Sequence, residues 1–139
     1  MKIIAIFLMT ILFSANGCED MKDTVIEYNA MSRGFYLNVV VKNENVSVTR
    51  QRKGEAKVTK LSQDEQKEIA EMVKDIDLEG IPDLKAPTEK RFYDGAPIAT
   101  LKITRNGEVY ESQAFDHGEP PAAIKKLVDK LQAFVPEEE

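Results

Sequence analysis

The sequence is poor in the residues on which metal centres and nucleophilic active sites depend. It has one cysteine, Cys18, and one histidine, His117, among 139 residues. A single cysteine cannot form an internal disulfide, and a zinc site would have to combine His117 with carboxylates alone. The H-E-x-x-H, G-x-S-x-G, P-loop and G-x-G-x-x-G motifs are also missing. We therefore predict that the protein has no catalytic residues, no metal site and no cofactor, and that it is not an enzyme.

Carboxylates leave one remaining route to catalysis, since a pair of acids is enough for a glycosidase. Among the 24 acidic residues, Asp94 lies beside a glycine and Asp116 lies at a predicted strand end. Such positions more commonly form Asx-type turns. Residues 116–119, which include His117, are likewise predicted to form a turn that precedes the last helix.

Positive charge is in the minority. The chain has 19 lysines and arginines against 24 acids, for a formal net charge of −5. A nucleic-acid-binding surface needs a basic patch that neutralises phosphates. The densest basic stretch, residues 49–53, falls at a predicted hairpin tip, where charges are solvated. We predict no nucleic-acid partner. The alternative is that residues 49–53 bind an anionic partner or membrane headgroups.

The hydrophobic segment at the N-terminus is short. Lys2 is followed by an apolar run over residues 3–13 and by small residues within 14–17. A helix that spans a bilayer needs about 20 apolar residues. A positive start, an apolar stretch of roughly 7–15 residues and a small-residue exit are typical of a secretory signal. We therefore predict a signal peptide over residues 1–17 and an exported domain.

The exit of this segment, Ala15-Asn16-Gly17-Cys18, resembles the lipobox at which bacterial lipoprotein precursors are lipidated on cysteine and then cleaved before it. The resemblance implies that Cys18 becomes the first residue and carries a lipid. The membrane would then be a partner through Cys18, and the bacterial cell envelope would be the location. The alternatives are cleavage by an ordinary signal peptidase and a buried, inert cysteine.

The remaining chain is predicted to form a single domain. Residues 18–23 read as a lipidated tether, residues 24–135 as the domain and residues 136–139 as an acidic tail. β-rich or alternating segments occur at 24–28, 35–41, 46–50, 56–61, 98–104 and 109–115. Asn106-Gly107, between the last two segments, is a strong hairpin signal because both residues accept a positive φ.

Two amphipathic helices complete the pattern. Ser62 and Glu65 form an S-x-x-E capping box, and apolar residues recur at i, i+3, i+4 and i+7 from Ile69 in a helix predicted to end near Leu78. A second helix with one apolar face follows Pro121. The order strands, helix, strands, helix predicts an α+β fold, with an antiparallel sheet of hairpins and both helices packed on one face.

Residues 81–97 form the longest segment without a periodic pattern, with three prolines and a glycine. Loops of this length are often functional or mobile. Arg91, Phe92, Tyr93 and Asp94 place two aromatic rings and an arginine at its tip, and such residues are enriched in interface hot spots. We predict that these four residues bind a partner protein. The alternative is that Phe92 and Tyr93 pack into the core.

The order of elements from Val25 to Leu131 resembles that of the emfourin family. The shared features are a first strand with Ile26-Glu27-Tyr28, a Gly34-Phe35 entry to the next strand, a capped helix from Ser62, an Asp94-Gly95 loop and a proline-led last helix after Asp116-His117-Gly118. The resemblance implies a protein inhibitor of thermolysin-like metalloproteases. The sequence therefore predicts a noncatalytic, membrane-anchored envelope lipoprotein that binds a protein, either an envelope component or, alternatively, a metalloprotease that it inhibits.

Overall fold

The structure is a computed structural model that describes residues 21–136. The predicted signal peptide, Cys18 and the last three residues of the acidic tail lie outside the described residues.

In the described part of the chain, seven strands form one sheet. They are β1 Thr24–Ser32, β2 Phe35–Lys42, β3 Asn45–Thr49, β4 Lys57–Lys60, β5 Ile98–Arg105, β6 Glu108–Glu111 and β7 Phe115–Asp116. The order across the sheet is β4-β3-β2-β1-β5-β6, and β7 also pairs with β5. Each of these pairings is antiparallel, which confirms the predicted sheet of hairpins.

Within residues 21–136, the α-helices are α1 Gln63–Lys74 and α2 Lys125–Gln132, and 3₁₀ turns lie at Leu78–Asp83, Lys90–Tyr93 and Ala122–Ile124. The predicted capping box is present at the start of α1. The Ser62 hydroxyl accepts a hydrogen bond from the Glu65 amide at 3.1 Å, and the Glu65 carboxylate accepts one from the Ser62 amide at 3.0 Å. The predicted end near Leu78 is wrong, because the chain leaves α1 at Lys74 and then forms a separate 3₁₀ turn.

The core lies between one face of the sheet and the two helices. In β1 the buried residues Ile26, Tyr28 and Ala30 alternate with partly exposed ones, as expected for a sheet that is covered on one side. The predicted α+β fold is therefore confirmed. Met21 is also buried, so the core begins before residue 24. The helical residues that close the core are Ile69, Ala70, Val73, Leu127, Val128 and Leu131.

We call the other face of the sheet the open face. The strand register determines which side chains lie on it. Residues directly opposite each other in an antiparallel pair point to the same face. Glu27 lies opposite Lys102 and forms an ion pair with it at 3.3 Å, while Asn38 donates a hydrogen bond to Glu27 at 2.8 Å. A polar network therefore crosses the middle of the open face.

The two ends of the sheet differ in what they carry. At the tether end, β1 begins at Thr24, and the Asn106 amide of the β5–β6 turn donates to the Asp23 carbonyl at 3.0 Å. At the far end, β1 finishes at Ser32 beside the start of β5, and β7, which pairs with that part of β5, contacts the 3₁₀ turn Lys90–Tyr93. A nine-residue strand spans roughly 25–30 Å, so about that distance separates the two ends.

Candidate functional site

A β-bulge shapes the far end of the sheet. Tyr110 lies opposite Ile103, whereas Phe115 lies opposite Ala99. The chain between Tyr110 and Phe115 therefore contains one residue more than the segment of β5 that it faces. The predicted continuous strand over 109–115 is therefore wrong. A bulge re-aims the side chains that follow it. Here it sends Phe115 into the core and leaves Asp116 on the side of the open face.

The carboxylate of Asp116 has no solvent exposure and is held by four hydrogen bonds. One oxygen accepts from the Thr88 hydroxyl at 2.5 Å and from the Lys90 amide at 2.7 Å. The other accepts from the Arg91 amide at 2.9 Å and from the Arg91 guanidinium at 3.2 Å. We call this arrangement the Asp116 clamp. It fixes the start of the 3₁₀ turn Lys90–Tyr93 against the end of β7.

The clamp also decides the charge state of Asp116. Burial by itself raises the pKa of this carboxyl, but the hydrogen bonds from the Thr88 hydroxyl and from the Arg91 and Lys90 amides lower it more. The resulting pKa is about 2, below the ordinary 3.8. Asp116 is therefore ionised at neutral pH, with Arg91 as its counter-ion.

Beyond the clamp, Phe92 and Tyr93 project into solvent, each with 71% of its surface exposed. The alternative that these two rings pack into the core is wrong. The Arg91 guanidinium lies 4.4 Å from the centre of the Phe92 ring, a distance typical of a cation–π contact. A side chain at Gly95 would come within 2.9 Å of the Tyr93 ring. We call Phe92 and Tyr93 the aromatic tip.

The structure therefore divides the four predicted partner-binding residues into two kinds. Phe92 and Tyr93 are exposed and available for contact, whereas the side chain of Arg91 is largely buried in the clamp. Asp94 is exposed and ends the turn in the left-handed region, with φ of 60°. An aspartate tolerates that conformation better than a bulky residue does.

The aromatic tip lies at one corner of the open face, because the clamp that holds it is on that side. At this far end, Met31 lies opposite both Tyr36 and Ile98. Ile98 is 48% exposed. We call Met31, Tyr36 and Ile98 the apolar row. The apolar row and the aromatic tip place apolar surface at the end of the sheet that is remote from Thr24.

A second polar arrangement lies on the core side of the same end. The buried Tyr28 hydroxyl is 2.6 Å from Nδ1 of His117, whose ring also packs against Phe35 with 5.0 Å between ring centres. Burial raises the pKa of Tyr28 and lowers the pKa of His117. Tyr28 therefore keeps its proton and His117 is neutral at neutral pH. The tautomer of the imidazole sets which of the two groups donates the hydrogen bond between them.

His117 also borders a groove of about 360 Å³ between the β1–β2 turn and the C-terminal end of α2. Arg50 lines the groove and donates a hydrogen bond to the Pro136 carbonyl at 2.9 Å. Across residues 21–136, no group of three or more His, Cys, Asp and Glu side chains is placed to hold a metal ion. The same residues include no helix that is long and apolar enough to cross a membrane.

Sequence patterns single out Asp116 as an acid at a predicted strand end, with an Asx-type turn as its commoner role, but they do not indicate the clamp. Thr88 carries no signal in the sequence. The one available sign was the position of Asp116 directly after Phe115, at the end of a strand, where an ionised residue must find buried partners.

Comparisons with known proteins leave the site to be judged from its geometry. No protein-family profile, no curated protein and no solved structure matches the chain.

Proposed function

We propose that this chain is a noncatalytic lipoprotein of the bacterial cell envelope, and that it binds another protein through the aromatic tip. The observation that carries the proposal is the pairing of two aromatic rings, each 71% exposed, with a fully buried carboxylate that fixes the backbone beneath them. Exposed aromatic residues on an ordered backbone are the usual anchors of protein interfaces.

The clamp contributes to binding by ordering the tip in advance. A flexible loop loses conformational freedom when it binds, and that loss weakens the complex. The hydrogen bonds from the Lys90 and Arg91 amides to Asp116 restrain the turn before any partner arrives. The apolar row lies at the same end of the sheet and offers further apolar surface to a partner bound at the tip.

The location of the tip favours a protein partner over the bilayer. Residues 1–17 act as the export signal in this proposal, and acyl chains on Cys18 hold the chain on the membrane. More than one acyl chain is needed for lasting attachment. The chain enters the domain at the tether end, whereas Phe92 and Tyr93 lie at the far end of the sheet. The tip therefore points away from the membrane that carries the protein.

The test uses the soluble chain from residue 19 to 139, which keeps the whole core described above. Immobilised chain captures proteins from the envelope and culture fluid of the source organism, and each captured protein is purified and its affinity measured. Replacing both Phe92 and Tyr93 with alanine should weaken binding at least about thirtyfold, since truncating even one hot-spot residue costs about 2 kcal/mol or more. The matched control is Val109→Ala, which shortens an exposed apolar side chain on the same side of β5 but at the tether end of the sheet, remote from the aromatic tip. Equal affinities for both variants would refute the proposal.

A second candidate function is inhibition of a metalloprotease, as the resemblance to the emfourin family implies. The clamp supports it, because an inhibitor must present a loop that resists cleavage while it occupies the protease. We would titrate the chain against a thermolysin-like protease and follow cleavage within residues 82–97. Inhibition that is lost in the Phe92→Ala, Tyr93→Ala variant supports this function. Rapid cleavage of the loop without inhibition would reject the inhibitor function and leave binding to an envelope protein as the proposed function.

A further inference from the structure

The sheet has two edges of opposite charge. One edge is β4, with the sequence Lys-Val-Thr-Lys, and the other is β6, with the sequence Glu-Val-Tyr-Glu. In the described part of the chain, no strand pairs with the outer side of either one. Val58 in β4 and Val109 in β6 are 59% and 60% exposed. An unpaired edge of this kind is a template on which another strand can form hydrogen bonds.

The register tells which backbone groups each edge offers. The Leu61 amide donates to the Glu44 carbonyl, so the backbone groups of alternate residues in β4 form hydrogen bonds with β3. The backbone N–H and C=O groups of the residues between them, Val58 and Lys60, therefore point away from β3. The Ser112 amide donates to the Leu101 carbonyl. By the same alternation, the backbone N–H and C=O groups of Val109 and Glu111 point away from β5.

The two edges also match in direction and in face. Six antiparallel strands in a row make β4 and β6 run in opposite directions, so a second copy placed beside β6 continues the antiparallel order. Val58 lies opposite Ser47, and Val109 lies opposite Thr104, which puts both valines on the open face. Strand pairing between copies therefore keeps the core side of each copy on the same side of the joined sheet.

We propose that copies of this chain associate head to tail, with β4 of one copy pairing with β6 of the next. In the register that uses all the outward groups, Val58 lies opposite Glu111 and Lys60 lies opposite Val109. Both pairs are of the hydrogen-bonded type, which supplies four backbone hydrogen bonds. Lys60 and Glu111 are then diagonal neighbours on the open face, within reach of each other.

The charges select this contact over symmetrical ones. Pairing β4 with β4 would bring lysines together, and pairing β6 with β6 would bring glutamates together, both of which are unfavourable. Lys60 has only a long 3.8 Å ion pair with Glu44, in which both side chains are more than half exposed. Glu111 has no ion pair within residues 21–136. Both side chains are therefore available to a neighbouring copy.

Two properties of the association follow. A head-to-tail contact leaves one β4 and one β6 free at the ends, so it repeats and does not stop at a dimer. The strands have four residues each, so the contact is weak and depends on concentration. It is also weakened by salt, since exposed charges are screened within about 8 Å at physiological ionic strength.

The experiment is analytical ultracentrifugation of residues 19–139 from about 10 μM to about 1 mM, in low and high salt. The weight-average mass should pass that of a dimer at low salt. Lys60→Glu and Glu111→Lys should each raise the dissociation constant at least about fivefold, because each places like charges together. Combining the two substitutions in one chain, or mixing the two single variants, should restore association.

Two kinds of control separate the contact from general effects. Lys67→Glu and Glu71→Lys make the same charge changes on the exposed side of α1 and should leave the mass unchanged. Val58→Pro removes an outward amide without removing a hydrogen bond to β3, so it should abolish association in a folded chain. A monomer at every concentration, an association that ends at a dimer, or a charge swap that fails to restore it would each overturn the proposal. The contact involves neither Phe92 nor Cys18, so its failure would leave the proposed function standing.

Discussion

Asp116 contacts Arg91 twice, through the backbone amide at 2.9 Å and through the guanidinium at 3.2 Å. The first contact fixes the path of the main chain, and the second neutralises the buried carboxylate. A residue at the end of β7 therefore determines the conformation of a turn much earlier in the sequence. The exposed rings of Phe92 and Tyr93 depend on this long-range contact for their position.

Replacing Asp116 with asparagine tests the clamp. The amide group keeps the size of the side chain but removes its charge, and its nitrogen cannot accept the hydrogen bonds that the carboxylate oxygen accepts. We expect the free energy of unfolding to fall by roughly 2–4 kcal/mol. Hydrogen exchange at the Lys90 and Arg91 amides should accelerate as well.

Asp94→Asn is the matched control for this variant. It makes the same chemical change on the same turn, but Asp94 is exposed and asparagine tolerates its positive φ. Its effect should stay within about 0.5 kcal/mol in urea unfolding. If the two variants were equally stable, the clamp would have no energetic role.

The pH dependence of stability provides a second test of Asp116. Its folded pKa of about 2 is below the ordinary 3.8, so the unfolded chain binds the proton more tightly. The stabilisation is complete above about pH 5 and is lost as the pH falls from about 4 to about 2. Urea titrations at several pH values should show this decline, and Asp116→Asn should show a smaller one. An identical decline in both proteins would assign the effect to other carboxylates.

Local patterns were sufficient for much of the fold and insufficient for the site. The capping box of Ser62 and Glu65 and the Asn106-Gly107 turn depend on neighbours in the sequence, so they could be predicted. The role of Asp116 depends on a one-residue bulge and on a partner turn that is distant in sequence. The exposure of Phe92 could not be predicted either, because an aromatic residue in a loop has the same local pattern whether it is buried or exposed.

The pair formed by Tyr28 and His117 gives a prediction on the core side. Tyr28→Phe removes the hydroxyl and leaves Nδ1 of His117 without its partner, which should lower the free energy of unfolding by about 1–2 kcal/mol. Tyr36→Phe, which removes a phenol hydroxyl on the open face, should change stability by less than about 0.5 kcal/mol. Equal losses in these two variants would contradict the importance of the buried hydrogen bond.

The same pair predicts a change near neutral pH. Burial lowers the pKa of His117 below its ordinary 6.5, so the unfolded chain binds the proton more tightly. Stability should be complete above that value and should decline as the pH falls below it. An NMR titration of the imidazole protons measures the pKa directly, and a value at or above 6.5 in the folded chain would refute this assignment.

The lipid anchor is testable through the single thiol of the chain. In a bacterial host, the wild-type precursor should be recovered with membranes, with a mass increased by acyl chains and no reaction with maleimide, because the Cys18 sulfur is occupied. Cys18→Ser should give a form without lipid that no longer remains with membranes. Its fold should be unchanged, since the described core begins at Met21. A wild-type chain that is exported, soluble and reactive towards maleimide would instead indicate an ordinary signal peptidase, and the protein would then carry the aromatic tip to its partner without a membrane anchor.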